Sequence, residues 1–160
     1  MQRVMTLAMA GVFALLISTQ AQAQTVTLQA ELGGGDEVPG VVTGAAGTAT
    51  VTLNTVTRVV TYRIEVYNMP VGTTAAHFHV GDVGVSGPVV VNFTSVQPNI
   101  SNDFAITGTA SATDLVPRAA QGINSWEDFT QALLLDNIYV NVHSTANPGG
   151  EIRGQVKRVQ

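Results

Sequence analysis

Three histidines occur in the chain, and their placement is the first chemical signal it offers. His77 and His79 stand one residue apart in Ala75-Ala76-His77-Phe78-His79-Val80-Gly81, and His143 closes the alternating stretch Tyr139-Val140-Asn141-Val142-His143. On an extended strand successive side chains alternate faces, so His77 and His79 project from one side, about 6–7 Å apart along the chain. Two imidazoles so spaced can turn onto one ion. A third, from a neighbouring strand, completes a three-nitrogen set with an open position, provided the ring nitrogens come within about 4 Å of one another. Imidazole suits copper, zinc, nickel and iron, and the affinity order favours copper over zinc. The alternative for the same residues is cross-strand hydrogen bonding at a loop end, with no ion.

The residues around them have candidate supporting roles. Asp82 follows the histidine strand and could accept a hydrogen bond from an imidazole N–H; a turn-forming role after Gly81 is the other reading. Asn141 shares a face with Tyr139 and His143, so it either orients an imidazole or pairs with backbone. Glu151 and Arg153 share a strand face between Gly150 and Gly154. They suit a partly buried ion pair or hydrogen bonds to a neighbouring loop, with the glycines permitting close backbone approach. Arg153 at the mouth of a metal site is the functional alternative. Asp36 and Glu37 lack the series of oxygen ligands that calcium needs. No nucleophile motif, phosphate loop or carboxylate pair for glycoside chemistry is present.

Strands position these groups. Thr25 to Leu32 alternates, with Val26, Leu28, Ala30 and Leu32 on one face. Thr48 to Leu53 and Arg58 to Tyr67 do the same across a short turn, which predicts a hairpin. Ala76, Phe78 and Val80 form the core face of the histidine strand, so the histidines point outward or into a cleft. Val89 to Phe93, Phe104 to Thr109, Ile138 to His143 and Glu151 to Arg158 complete the set. Ser125 and Asp128 resemble a capping box ahead of Trp126, Phe129, Ala132 and Leu133, predicting one helix over Trp126 to Leu135 as a lid on the end of the core. Eight or so short strands with Gly and Pro turns indicate an all-β fold, an antiparallel Greek-key-like β-sandwich with one short helix.

Residues 1–23 read as a secretory signal peptide: Arg3, an apolar run from Val4 to Ile17, then Ala21-Gln22-Ala23 as a small-x-small cleavage site. That run is shorter than the ~20 residues of a membrane span, so none is expected. The expected product is a single domain over residues 24–160, periplasmic or secreted, and with no cysteine it folds without disulfides. Losing Arg3 takes seven basic residues to six against eleven acidic ones, a net charge near −5. With no basic cluster before Lys157-Arg158, neither nucleic acid nor an anionic membrane is the expected partner.

Several segments together resemble the CHRD domain, named after chordin: Ala75 to Gly81, Gly87-Pro88-Val89-Val90, Tyr139 to His143, and Asn147-Pro148-Gly149-Gly150-Glu151-Ile152-Arg153-Gly154-Gln155. The resemblance runs from about Val26 to Val156 and implies an extracellular or exported domain, with no settled activity to transfer. A second resemblance is to copper/zinc superoxide dismutases, in the order of a His-x-His strand, a later histidine on a valine-rich strand, and a Gly-rich turn leading to Arg and Gly. It implies copper on His77, His79 and His143, with Arg153 near the place of the arginine that guides superoxide. No histidine remains to bridge to zinc, no zinc-site histidines exist, and cysteines are absent. The functional expectation is therefore an exported protein binding one copper ion for copper handling or redox protection. A non-catalytic structural or interaction module and a dismutase-like enzyme are the alternatives.

Overall fold

A computed structural model describes residues 24–159; the expected signal peptide lies outside the described residues. The strands are β1 (Thr25–Gly33), β2 (Ala46–Asn54), β3 (Val60–Met69), β4 (Thr73–Val80), β5 (Val89–Asn92), β6 (Asn102–Ala110), β7 (Ile138–Ser144), β8 (Ile152–Gln155) and β9 (Lys157–Arg158), with one α-helix, α1 (Trp126–Leu134), between β6 and β7. All pairings are antiparallel, and the strands run β5-β4-β7-β8-β1-β2-β3-β6, with β9 beside β1.

The sheet folds over on itself. β8 and β1 are joined through a single residue pair, Gly33 with Arg153, so two four-stranded halves meet at a corner and enclose the core. A side chain at Gly154 would place its Cβ 2.2 Å from the carbonyl oxygen of Glu31, so only glycine lets the halves come this close. Across the core Tyr62 of β3 meets Phe78 of β4 edge-on and stacks on Phe93. The alternating apolar residues of β1, β2 and β3 line this core as their period requires, with Leu28, Val51, Val60 and Ile64 fully buried.

Local chemistry fixes the connections. Asn54 turns β2 into β3 by accepting hydrogen bonds from the backbone of Val56 and Thr57. The expected capping box forms: Ser125 and Asp128 exchange hydrogen bonds at the start of α1. The helix then closes the core end, burying Phe129 and Leu133, while the Trp126 indole donates to the carbonyl of Arg58.

Two details differ from the sequence expectation. The last strand is split: the Val156 amide still bonds to Ile138 in step with the β7–β8 register, but Lys157 and Arg158 leave β7 and pair with Gln29 and Leu28 of β1. And β7 is buried along its whole length, on both faces, although its sequence alternates. Loops cover its outer face, and that cover builds the site.

Candidate metal centre

β4 and β7 are neighbours, with Ala75 opposite His143, His77 opposite Asn141 and His79 opposite Tyr139. Residues directly opposite share a face, so all three imidazoles emerge on the outer side of one half of the sheet. His143 sits one step diagonal to His77, and the small Ala75 across from it leaves its ring room to lean over. His77 Nδ1 lies 3.0 Å from His143 Nε2, inside the about 4 Å expected of a shared site, whereas the candidate donor nitrogens of all three fall within 4.8 Å of one another, wider than that expectation.

The two buried rings are oriented by main-chain carbonyls. His79 Nδ1 donates to the carbonyl of Gly87 at 2.9 Å, and His143 Nδ1 donates to that of Pro148 at 2.9 Å. A carbonyl only accepts, so both rings carry their proton on Nδ1 and present a bare Nε2. The His143 lone pair takes a proton from His77. The His79 lone pair is buried and has no partner. A buried acceptor left unpaired costs about 1–3 kcal/mol, so this atom is where an ion would satisfy a need the fold leaves open.

The donor set fits one ion with small ring movements. At metal–nitrogen distances near 2.0–2.1 Å, tetrahedral donors lie about 3.4 Å apart. For His77 to ligate through Nδ1 its proton must move to Nε2, which breaks its hydrogen bond to His143; the 3.0 Å pair then opens slightly, and the widest pair closes by up to about 1.4 Å. His77, half-exposed, is the ring free to move. Burial holds the His77 pKa down at about 4, helped by the neighbouring His143 and His79. Burial also takes His79 to about 4, against the pull of the Gly87 carbonyl, and lowers His143. All three rings are neutral at pH 7, the form that ligates.

Tyr139 backs the centre. Its ring stacks on His79 with centroids 4.8 Å apart, and Arg153 lies 3.5 Å from the tyrosine centroid. Because β7 runs between β4 and β8, the phenol is sandwiched between imidazole and guanidinium. The Tyr139 hydroxyl donates to the Gly87 carbonyl and accepts from the Gly87 amide, pinning the loop that orients His79. That loop needs glycine, since a Cβ at Gly87 would stand 1.7 Å from the carbonyl oxygen of Val80.

Of the remaining candidates, Arg153 is nearly inaccessible and donates to the carbonyls of Val85 and Asp82, both at 2.9 Å. Its guanidinium braces the same loop. Asp82 is exposed, its carbonyl serving a turn and Arg153, while the Gly87 carbonyl is the acceptor at His79. Asn141 donates to Glu37 at 2.7 Å, and its own carbonyl oxygen is buried and unpartnered. Burial pushes Glu37 up to about 7, against the attraction of Arg153 and the Asn141 hydrogen bond.

The Glu151–Arg153 ion pair does not form; the hydrogen-bonding alternative does. Glu151 accepts from Asn147 at 2.6 Å, from Ser144 at 2.7 Å and from Thr43. Burial raises its pKa, but those three donors outweigh it and leave the carboxyl below the usual value. These contacts tie down the turn whose Pro148 carbonyl orients His143. Sequence reasoning missed Gly87, Pro148, Tyr139 and Glu37, because two act through backbone oxygen and two through partners distant in the chain. The glycine-proline pairs Gly87-Pro88 and Pro148-Gly149 were the available signal.

Fold and site together define a small antiparallel β-domain whose outer face gathers three neutral imidazoles beneath two fastened loops. The model of the CHRD domain family matches residues 28–156, so the chain belongs to that family. No curated protein and no solved structure matches it.

Proposed function

We propose that this CHRD-domain protein is exported and binds one copper ion through His77, His79 and His143, serving copper handling or redox protection in the periplasm or outside the cell. The observation that carries the reading is the buried, unpartnered Nε2 of His79 beside the bare Nε2 of His143. Copper is favoured over zinc by the affinity order for imidazole sites. When bound, the ion supplies a Lewis-acidic centre able to change oxidation state. The chain's own contribution is three neutral donors, two held in their tautomer by backbone carbonyls, and a phenol that shields one ring. Among the described residues no helix is long and apolar enough to cross a membrane. The leader read over residues 1–23 supports export.

Calorimetry with Cu(I) and Cu(II) tests this on the wild type and on His79→Ala. One equivalent should bind tightly to the wild type, and the variant should lose about 100-fold or more in affinity. The 3.0 Å bond between His77 and His143 favours a second reading, in which the histidines are architectural in a non-catalytic module. Equal, weak binding by both proteins would establish that reading instead.

A further inference from the structure

The two edges of the sheet are finished differently. Beside β5 the chain covers its own edge: the amide of Val116 donates to the carbonyl of Val90, Arg118 caps the carbonyl of Val89, and Leu115 bridges Val91. β6 at the other end pairs only with β3, and among the described residues its outer row of backbone groups from Asp103 to Ala110 has no backbone partner. Edge strands are ordinarily blunted by lysine, proline, a bulge or extreme shortness. β6 is nine residues long and carries no lysine or proline, and its one irregularity is confined to the Asn102 end. Asp103, Ala105, Thr107 and Thr109 are exposed on its outward face.

We propose that β6 is an interface at which a second copy of this chain adds antiparallel, with the two-fold axis at Thr107. The register is self-complementary. Ile106 falls opposite Gly108, Phe104 opposite Ala110, and Ala105 opposite Thr109, so each larger side chain meets a smaller one. Thr107 meets its own counterpart, a favourable cross-strand pair. Asp103 falls opposite Ser111, whose amide and hydroxyl hold the Asp114 carboxylate, so the two ends of the seam bring like charges near each other and oppose the pairing. On the adjoining strand Arg63 and Glu65 neutralise each other at 2.7 Å, so that strand adds no net charge at the middle of the seam. The pairing satisfies backbone donors and acceptors on both copies and joins two sheets into one. An edge-only contact buries little surface, so the dimer is weak and concentration-dependent. The histidine site lies in the other half of the sheet and stays open.

Sedimentation velocity of the exported protein from about 5 to 500 µM reads the equilibrium. A dimer fraction that grows with concentration is expected. Thr107→Lys sets two ammonium groups opposite each other and should weaken the dimer about fivefold or more, whereas Thr109→Lys should not. Mixing Thr107→Lys with Thr107→Glu should restore association as a heterodimer. Hydrogen exchange on the wild type, which needs no variant to fold, should show protection of residues 104–110 rising with concentration. A monomer throughout the range, protection rising elsewhere, or Thr107→Lys dimerising like the wild type would each overturn the proposal.

Discussion

Replacing Arg153 by alanine tests whether the loop over β7 orients the metal ligands. Arg153 is 2% exposed, and its guanidinium donates two hydrogen bonds at 2.9 Å and lies 3.5 Å from the Tyr139 centroid. Hydrogen bonds from a charged donor contribute about 1.5–3 kcal/mol each, and a partly desolvated cation–π contact about 1–2 kcal/mol. Against these stands the penalty of a buried cation with no ion-pair partner, which the substitution relieves. A net loss of about 3 kcal/mol follows, roughly 10 °C in Tm for a domain of this size. The loop it braces holds the Gly87 carbonyl, and through it the His79 tautomer, so copper affinity should also fall by about 10- to 100-fold. Arg153→Lys keeps the charge but cannot span both carbonyls, so it should recover part of the stability and little of the affinity. The assay is denaturant unfolding alongside competitive copper titration. If Arg153→Ala loses stability yet binds copper as tightly as the wild type, the brace does not reach His79 and the reasoning fails.

Four further outcomes follow. His79 titrates near 4 in the folded protein against 6.5 unfolded, so the metal-free protein should lose stability as pH falls from about 6.5 towards 4, because the unfolded chain takes up protons the native one refuses. Unfolding at stepped pH should show His79 supplying about 3 kcal/mol of that loss, and His79→Ala should flatten the slope. Glu37 shifts the other way, to about 7, so its contribution is complete below pH 4.5 and disappears as pH rises through 7. Glu37→Gln should therefore be more stable than wild type by about 1–2 kcal/mol at pH 8, with the gap closing in acid; equal Tm values at both pH extremes would contradict this. Gly87→Ala, meeting the Val80 carbonyl, should displace the loop and weaken copper binding while far-UV dichroism stays all-β. Mass spectrometry of the exported protein should find Gln24 first, and a retained Met1 would remove the leader from the account.

Much of this was legible in the sequence because it is periodic. Alternation fixed the core faces of β1, β2 and β3, and Ser125 with Asp128 marked the start of α1. The histidines could be read together because one pair shares a strand face and the third ends a strand of the same kind. What stayed hidden depends on loops. β7 looks half-exposed by its pattern, and the packing of residues 81–88 and 145–150, together with Glu37 against Asn141, makes it a buried strand. Asp82 and Asn141 stood near the histidines in sequence, yet the imidazoles bond to the carbonyls of Gly87 and Pro148, groups every residue possesses. Glu151 and Arg153 suggested an ion pair by opposite charge, but each found nearer partners in a different loop.

That main-chain oxygens aim the imidazoles has a bearing on how freely such a chain can drift. A carboxylate support would vanish with one substitution, whereas a carbonyl survives any exchange that keeps the backbone path. Residues 82, 83, 85 and 86 could then change almost at will while the loop's length, Gly84 with its left-handed backbone, Gly87 and the Pro148 turn stayed put. Spacing, more than acidity, is the trait by which kindred centres would be recognised.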